Sequence, residues 1–87
     1  MEKLNYPKTI LEAVDILLHV LPEAELQVIK TMLEDDLVIL HIGLGKWIRN
    51  NLGLWQENYE LLGDCGAKNP DDASNVIINA LQKKLNE

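Results

Sequence analysis

The chain has 87 residues, 14 of them acidic and 8 basic, for a formal net charge of −6, and it is 47% hydrophobic and 25% charged. That length allows one domain with a modest core, and the composition argues against a disordered chain. An acidic field with a single arginine argues against the basic, counterion-displacing surface that nucleic-acid binding needs and against adhesion to anionic membranes, whereas a basic protein partner would be favoured.

Residues 1–8 read as an extended lead-in, because Pro7 biases Tyr6 away from helix. Thr9-Ile10-Leu11-Glu12 then has the spacing of a capping box. It opens a first helix whose apolar face is Ile10, Val14, Leu17, Leu18 and Leu21, with Tyr6 packing beneath. Pro22 ends that helix and begins the second, which places Glu23 and Glu25 at its positive end. Leu26, Ile29 and Leu33 form its buried stripe, with Val28 and Met32 at the margin. A turn falls near 31–35, where Thr31, Glu34 or Asp35 can cap.

The third helix is expected from about Asp35 to Asn50, with Asp35 and Asp36 at its N-terminal turn and Arg49 at its C-terminal end. From Leu37 to Ile42 it is apolar on nearly every side except at His41, which predicts a central helix packed on several faces. Gly43 and Gly45 lower its intrinsic stability, and close approach of another backbone, or a kink, would compensate. Asn50-Asn51-Leu52-Gly53 reads as its stop. A fourth helix over roughly 56–64 would set Trp55, Tyr59 and Leu62 on one side. After the connection from Gly63 to Pro70, Asn69 or Asp71 caps a last helix with the stripe Ala73, Val76, Ile77, Ala80, Leu81 and Leu85. The whole reads as a compact all-α single domain, 1–87, of about five helices around a buried third helix.

The stretch from His41 to Trp55 concentrates the unusual residues: both tryptophans, three of the five glycines and the only arginine. Gly43-Leu44-Gly45 lacks the strand and the Lys-Ser/Thr ending of a phosphate loop. His41 and His19 are the only imidazoles, and with no second cysteine or paired histidine at helical spacing there is no metal-site pattern and no implied cofactor. His41 instead reads as a core histidine bonded to a backbone carbonyl or carboxylate. Arg49 has two readings. Paired with Asp71 or Asp72 it locks two helices together. Alternatively, Arg49, Asn50, Asn51, Asp72 and Ser74 converge beside Trp47 and Trp55 as a polar pocket with apolar walls. Cys65 has no activating histidine or helix start nearby in sequence, and the pairs Asp35/Asp36 and Asp71/Asp72 are explained by capping, so no catalytic constellation is assigned. The lone cysteine and the absence of an apolar leader at Met1–Pro7 fit a reducing cytoplasm.

Three blocks also carry a resemblance: Tyr6-Pro7-Lys8-Thr9 with Glu12-Ala13-Val14-Asp15, the block from His41 to Trp55, and Pro70-Asp71-Asp72-Ala73-Ser74 with Val76-Ile77-Ile78. Together they resemble a family of small, uncharacterised bacterial helical proteins. The resemblance implies a bacterial origin and a single domain, and it implies no activity or functional residue. The expected function is a non-enzymatic protein–protein interaction module: a regulator, adaptor or immunity-type protein with an unknown partner, for which the charge favours a basic surface. The alternatives are a small-ligand or enzymatic site at the Arg49 pocket and a homo-oligomer formed through a glycine-assisted helix face.

Overall fold

Thr9 opens the first helix as its spacing predicts, its Oγ1 accepting the Glu12 amide hydrogen at 3.1 Å. The Glu12 carboxylate accepts instead from the Lys8 amide, at 2.7 Å, one residue before the expected partner. In the computed structural model, which describes residues 6–87, this helix is α1 (Ile10–Val20). It is followed by α2 (Glu23–Thr31), a 3-10 helix η1 (Glu34–His41), α3 (Leu44–Asn51), α4 (Tyr59–Asp64) and α5 (Pro70–Leu85). No strand occurs among the described residues. Of the expected lead-in, residues 6–8 carry no regular structure, and residues 1–5 lie outside the described range.

The organising element is α5. It packs against α1, α2, η1, α3 and α4 in turn, and its Ala73, Ser74, Ile77, Ile78 and Leu81 are all buried. Asn69 caps it, Oδ1 accepting the Asp72 amide hydrogen at 2.9 Å. Pro70 fills the first turn, where its missing N–H costs nothing. Around this axis close Ala13, Val14 and Leu17 of α1, Leu26 and Ile29 of α2, Leu37 of η1, Ile48 of α3 and Leu61 of α4.

The expected third helix divides in two. Its second half, α3, is buried through Gly45 and Ile48 and packs on α5. Its first half is overwound into eight residues of 3-10 helix, longer than the three or four usual for that form. With three residues per turn, side chains stack in columns. Leu37 and Leu40 share the inward column, so Leu37 is buried and Leu40 half-buried against the core. Leu33, Asp36, Ile39 and Ile42 share another column, which faces outward: Ile39 is 64% and Ile42 79% exposed. An all-round apolar segment therefore covers the core with one column only. Gly43 stands between the halves in right-handed conformation, with nothing within 4 Å of where a Cβ would project. Its place in the fold is the break, not a close approach.

Several other boundaries shift. Leu33 lies outside α2 and is exposed, and η1 starts without a side-chain cap from Thr31, Glu34 or Asp35. The fourth helix begins three residues later than expected, at Tyr59, and its buried residue is Leu61. Tyr59 and Trp55 face solvent. Asn58 sets that start. Its Oδ1 accepts the Leu61 amide hydrogen at 3.4 Å, while Nδ2 donates to the carbonyls of Pro7 at 2.8 Å and Leu52 at 2.9 Å. Two further amides tie the end of α2 to α5. Gln82 Nε2 donates to the Ile29 and Met32 carbonyls at 3.0 and 2.6 Å, and Asn86 Nδ2 donates to the Lys30 carbonyl at 2.9 Å. Carbonyls left over at helix ends thus find side-chain donors from distant elements.

Candidate functional site

A polar seam runs between α3 and α5, and Gly45 makes room for it. A Cβ there would stand 3.0 Å from Arg49 Nη1, 3.5 Å from His41 Nδ1 and 3.5 Å from Ser74 Oγ. The close approach at Gly45 is thus to side chains, not to a neighbouring backbone. Arg49 is only 12% exposed in its side chain; its Nη1 donates to Ser74 Oγ at 3.1 Å and its Nε lies 3.4 Å from Asp71 Oδ1. Ser74 is fully buried and donates to the Asp71 carbonyl at 2.9 Å. His41 Nδ1 lies 2.9 Å from Asn75 Oδ1, so the imidazole meets a side-chain amide oxygen where a backbone carbonyl or carboxylate was expected. Among the described residues no buried side-chain nitrogen or oxygen lacks a partner.

The seam gathers His41, Arg49, Asp71 and Ser74 of the candidates read from the sequence, and the others lie elsewhere. Asp72 turns to its own cap, its Oδ2 accepting from Asn69 Nδ2 at 3.3 Å. Asn50 and Asn51 are exposed, and Asn51 Nδ2 donates to the Trp47 carbonyl one turn back, at 2.9 Å. Trp55 is exposed in the turn after α3. Trp47 is half-buried and lines a groove that none of the seam residues lines. Arg49 therefore bridges α3 to α5 through one contact to Asp71 and one hydrogen bond to Ser74, the arrangement a lock requires. Asn75 was missed; the signal for it is that Asp71, Ser74 and Asn75 stand at i, i+3 and i+4, one face of the last helix.

The lock makes a sign-reversing prediction. Arg49→Ala should cost about 1–2 kcal/mol, since a buried guanidinium hydrogen bond is lost and Asp71, 61% exposed, adds little. Gly45→Ala should destabilise the native chain by displacing Arg49. In the Arg49→Ala background it should stabilise, by about 0.5–1 kcal/mol, because alanine is the better helix former. Urea melts of the four proteins measure this, and the same sign in both backgrounds would sink it.

On the other side of α3 lies an apolar groove of about 500 Å³ between α1–α2 and the junction of η1 with α3. Exposed Val20 and Val28 form its walls, and half-buried Leu21, Leu40, Leu44 and Trp47 line it deeper. Glu25 is its one charged lining residue, and Gly43 leaves part of it without a side chain. A second cleft, of about 380 Å³, separates η1 from α5, with Glu34 and Asp35 opposite Asn75 and Asn79. The groove was not anticipated: its residues come from four stretches of chain, each legible as apolar but not as facing one another.

Cys65 is half-buried, with Sγ 3.8 Å from the Ala73 carbonyl. Burial, and secondarily the Asp64 carboxylate, push its pKa up to about 11. The thiolate is then on the order of one in a thousand at pH 8, too little for a nucleophile. Alkylation by iodoacetamide at pH 8 should be roughly a hundredfold slower in the native protein than in urea, and should rise with pH until near 11. Comparable native and unfolded rates would contradict the assigned burial.

Among the described residues no three His, Cys, Asp or Glu side chains gather as a metal ion would require, and no helix is long and apolar enough to cross a membrane. No curated protein and no solved structure matches the chain. A protein family does match, over residues 6–85, which takes in α1 to α5, the seam and the groove. The chain belongs to that family, described as a domain of unknown function, DUF6794.

Proposed function

We propose that this protein is a non-enzymatic protein–protein interaction module, a regulator, adaptor or immunity-type protein of a bacterial cytoplasm. The observation that carries the reading is the clustering of exposed apolar side chains: Leu33, Val38, Ile39 and Ile42 all project from η1 and its two ends, and Val20 and Val28 wall the groove beside it. Single exposed hydrophobics are ordinary on a protein surface, but a contiguous set rimmed by charge marks a contact face. Glu34 and Asp35 in the first turn of η1 flank the set, and Asp36 stands within the outward column between Leu33 and Ile39. The alternative, a ligand site at the Arg49 seam, draws less support because the polar groups there already satisfy one another.

The test is affinity capture from a bacterial lysate with the native protein and with Ile39→Asp/Ile42→Asp. Both side chains are exposed, so circular dichroism should show an unchanged fold. A stoichiometric protein retained by the native chain and lost with the double variant supports the reading. Equal retention by both, or no specific capture, counts against it.

A further inference from the structure

The apolar groove has a shape and a charge setting that select among occupants. Resting on the interaction reading above, we propose that it receives an amphipathic helix of a partner protein, apolar on one face and flanked by lysine or arginine. The long wall is α2, nine residues and so about 13 Å of helix. Apolar anchors at i, i+3 or i+4, and i+7 of a docked helix span about 10 Å, which that wall accommodates. Apart from Glu25 the lining is aliphatic with one indole, and Gly43 leaves open space beside it.

Charge decides the flanks. Glu23 and Glu25 occupy the first turn of α2, the long wall, where Glu25 lines the groove and Lys30 is the helix's one cation, while Glu34 and Asp35 of η1 face the second cleft and add to the field from farther off. The only other lysine close by in sequence is Lys46 on α3. The whole chain adds its net charge of −6 to that field. A second copy of this chain would bring the same carboxylates together across a two-fold contact, whereas a basic helix is attracted by them.

Gly43 provides a block that leaves the fold alone. Its backbone is right-handed and the space beyond it is open, so Gly43→Phe should fill the groove without strain. Trp47 provides the signal, once exposed Trp55 is replaced by phenylalanine. The probes are two synthetic 18-residue helices with leucine at i, i+3, i+4 and i+7, one with lysine and one with glutamate at the remaining positions. The lysine helix should produce a saturable shift in Trp47 fluorescence that weakens with salt. Gly43→Phe should weaken its binding by about tenfold or more, since a filled pocket removes the anchors. A response to the glutamate helix as strong as to the lysine helix would overturn the proposal. So would indifference to Gly43→Phe, or concentration-dependent dimerisation that Gly43→Phe abolishes. The cellular capture separates the two readings: a partner lost with Ile39→Asp/Ile42→Asp but kept by Gly43→Phe sinks the groove assignment and leaves the interaction module standing.

Discussion

Gly53→Ala is expected to lower the stability of this domain by about 2–3 kcal/mol, or roughly 10–20 °C in melting temperature for a chain of this length. Two effects combine. Gly53 has φ +78°, in the left-handed region where a Cβ is strained. A Cβ there would also overlap the ring of Tyr6, which lies flat on the glycine. The position cannot easily move, because the Gly53 carbonyl accepts the amide hydrogens of Gln56 at 2.9 Å and Asn58 at 3.1 Å and so shapes the entry to α4. Thermal melts of Gly53→Ala, Tyr6→Ala and the double variant separate the parts: the double variant should lose less than the two singles together, since the overlap disappears while the backbone strain stays. A single variant melting within about 3 °C of the native protein would show that the turn relaxes freely.

The second large effect distinguishes the helix that organises the core. Leu81→Ala, at a fully buried position of α5, should cost about 2–5 kcal/mol, whereas Ile39→Ala on η1 should stay within about 0.5 kcal/mol of the native protein. Denaturant unfolding of the two variants measures both. A loss at Ile39 comparable to that at Leu81 would restore the segment from Leu37 to Ile42 to the interior, where its composition alone would put it.

That contrast shows where the sequence is a good guide. Amphipathic periodicity located α1, α2 and α5, and capping chemistry placed Thr9 and narrowed the last cap to Asn69 or Asp71, of which Asn69 serves, because these signals are local. The segment from Leu37 to Ile42 has no polar side to orient it, so its pattern cannot distinguish a helix buried on all faces from an overwound one that buries a single column. The fourth helix was drawn too early because its start depends on Asn58 reaching Pro7 and Leu52, one contact spanning 51 positions of the chain. At the candidate site, an arginine at one helix end and aspartates at the start of another suggested a pairing of Arg49 with Asp71 or Asp72, and the contact is to Asp71. Trp47 and Trp55 were drawn into a shared pocket by proximity in sequence; the structure separates them by putting Trp47 into the groove and Trp55 into solvent. The groove itself needed the tertiary arrangement.

The ties made by Asn58, Gln82 and Asn86 have a consequence for how recognition can be measured. All three are amides, with no proton to gain or lose and no counterions to shed. The links that hold α4 to Pro7 and α2 to α5 are therefore indifferent to ionic strength, while Glu25 in the groove and Glu23 on the same helix are screened within about 10 Å at 0.1 M salt. Among the described residues, only the contacts of Arg49 with Asp71 and of the Ile10 amide with the Asp64 carboxylate add charge to the ties between elements. A salt titration of the proposed basic helix therefore reads the attraction largely apart from the scaffold, whose amide ties do not respond to it.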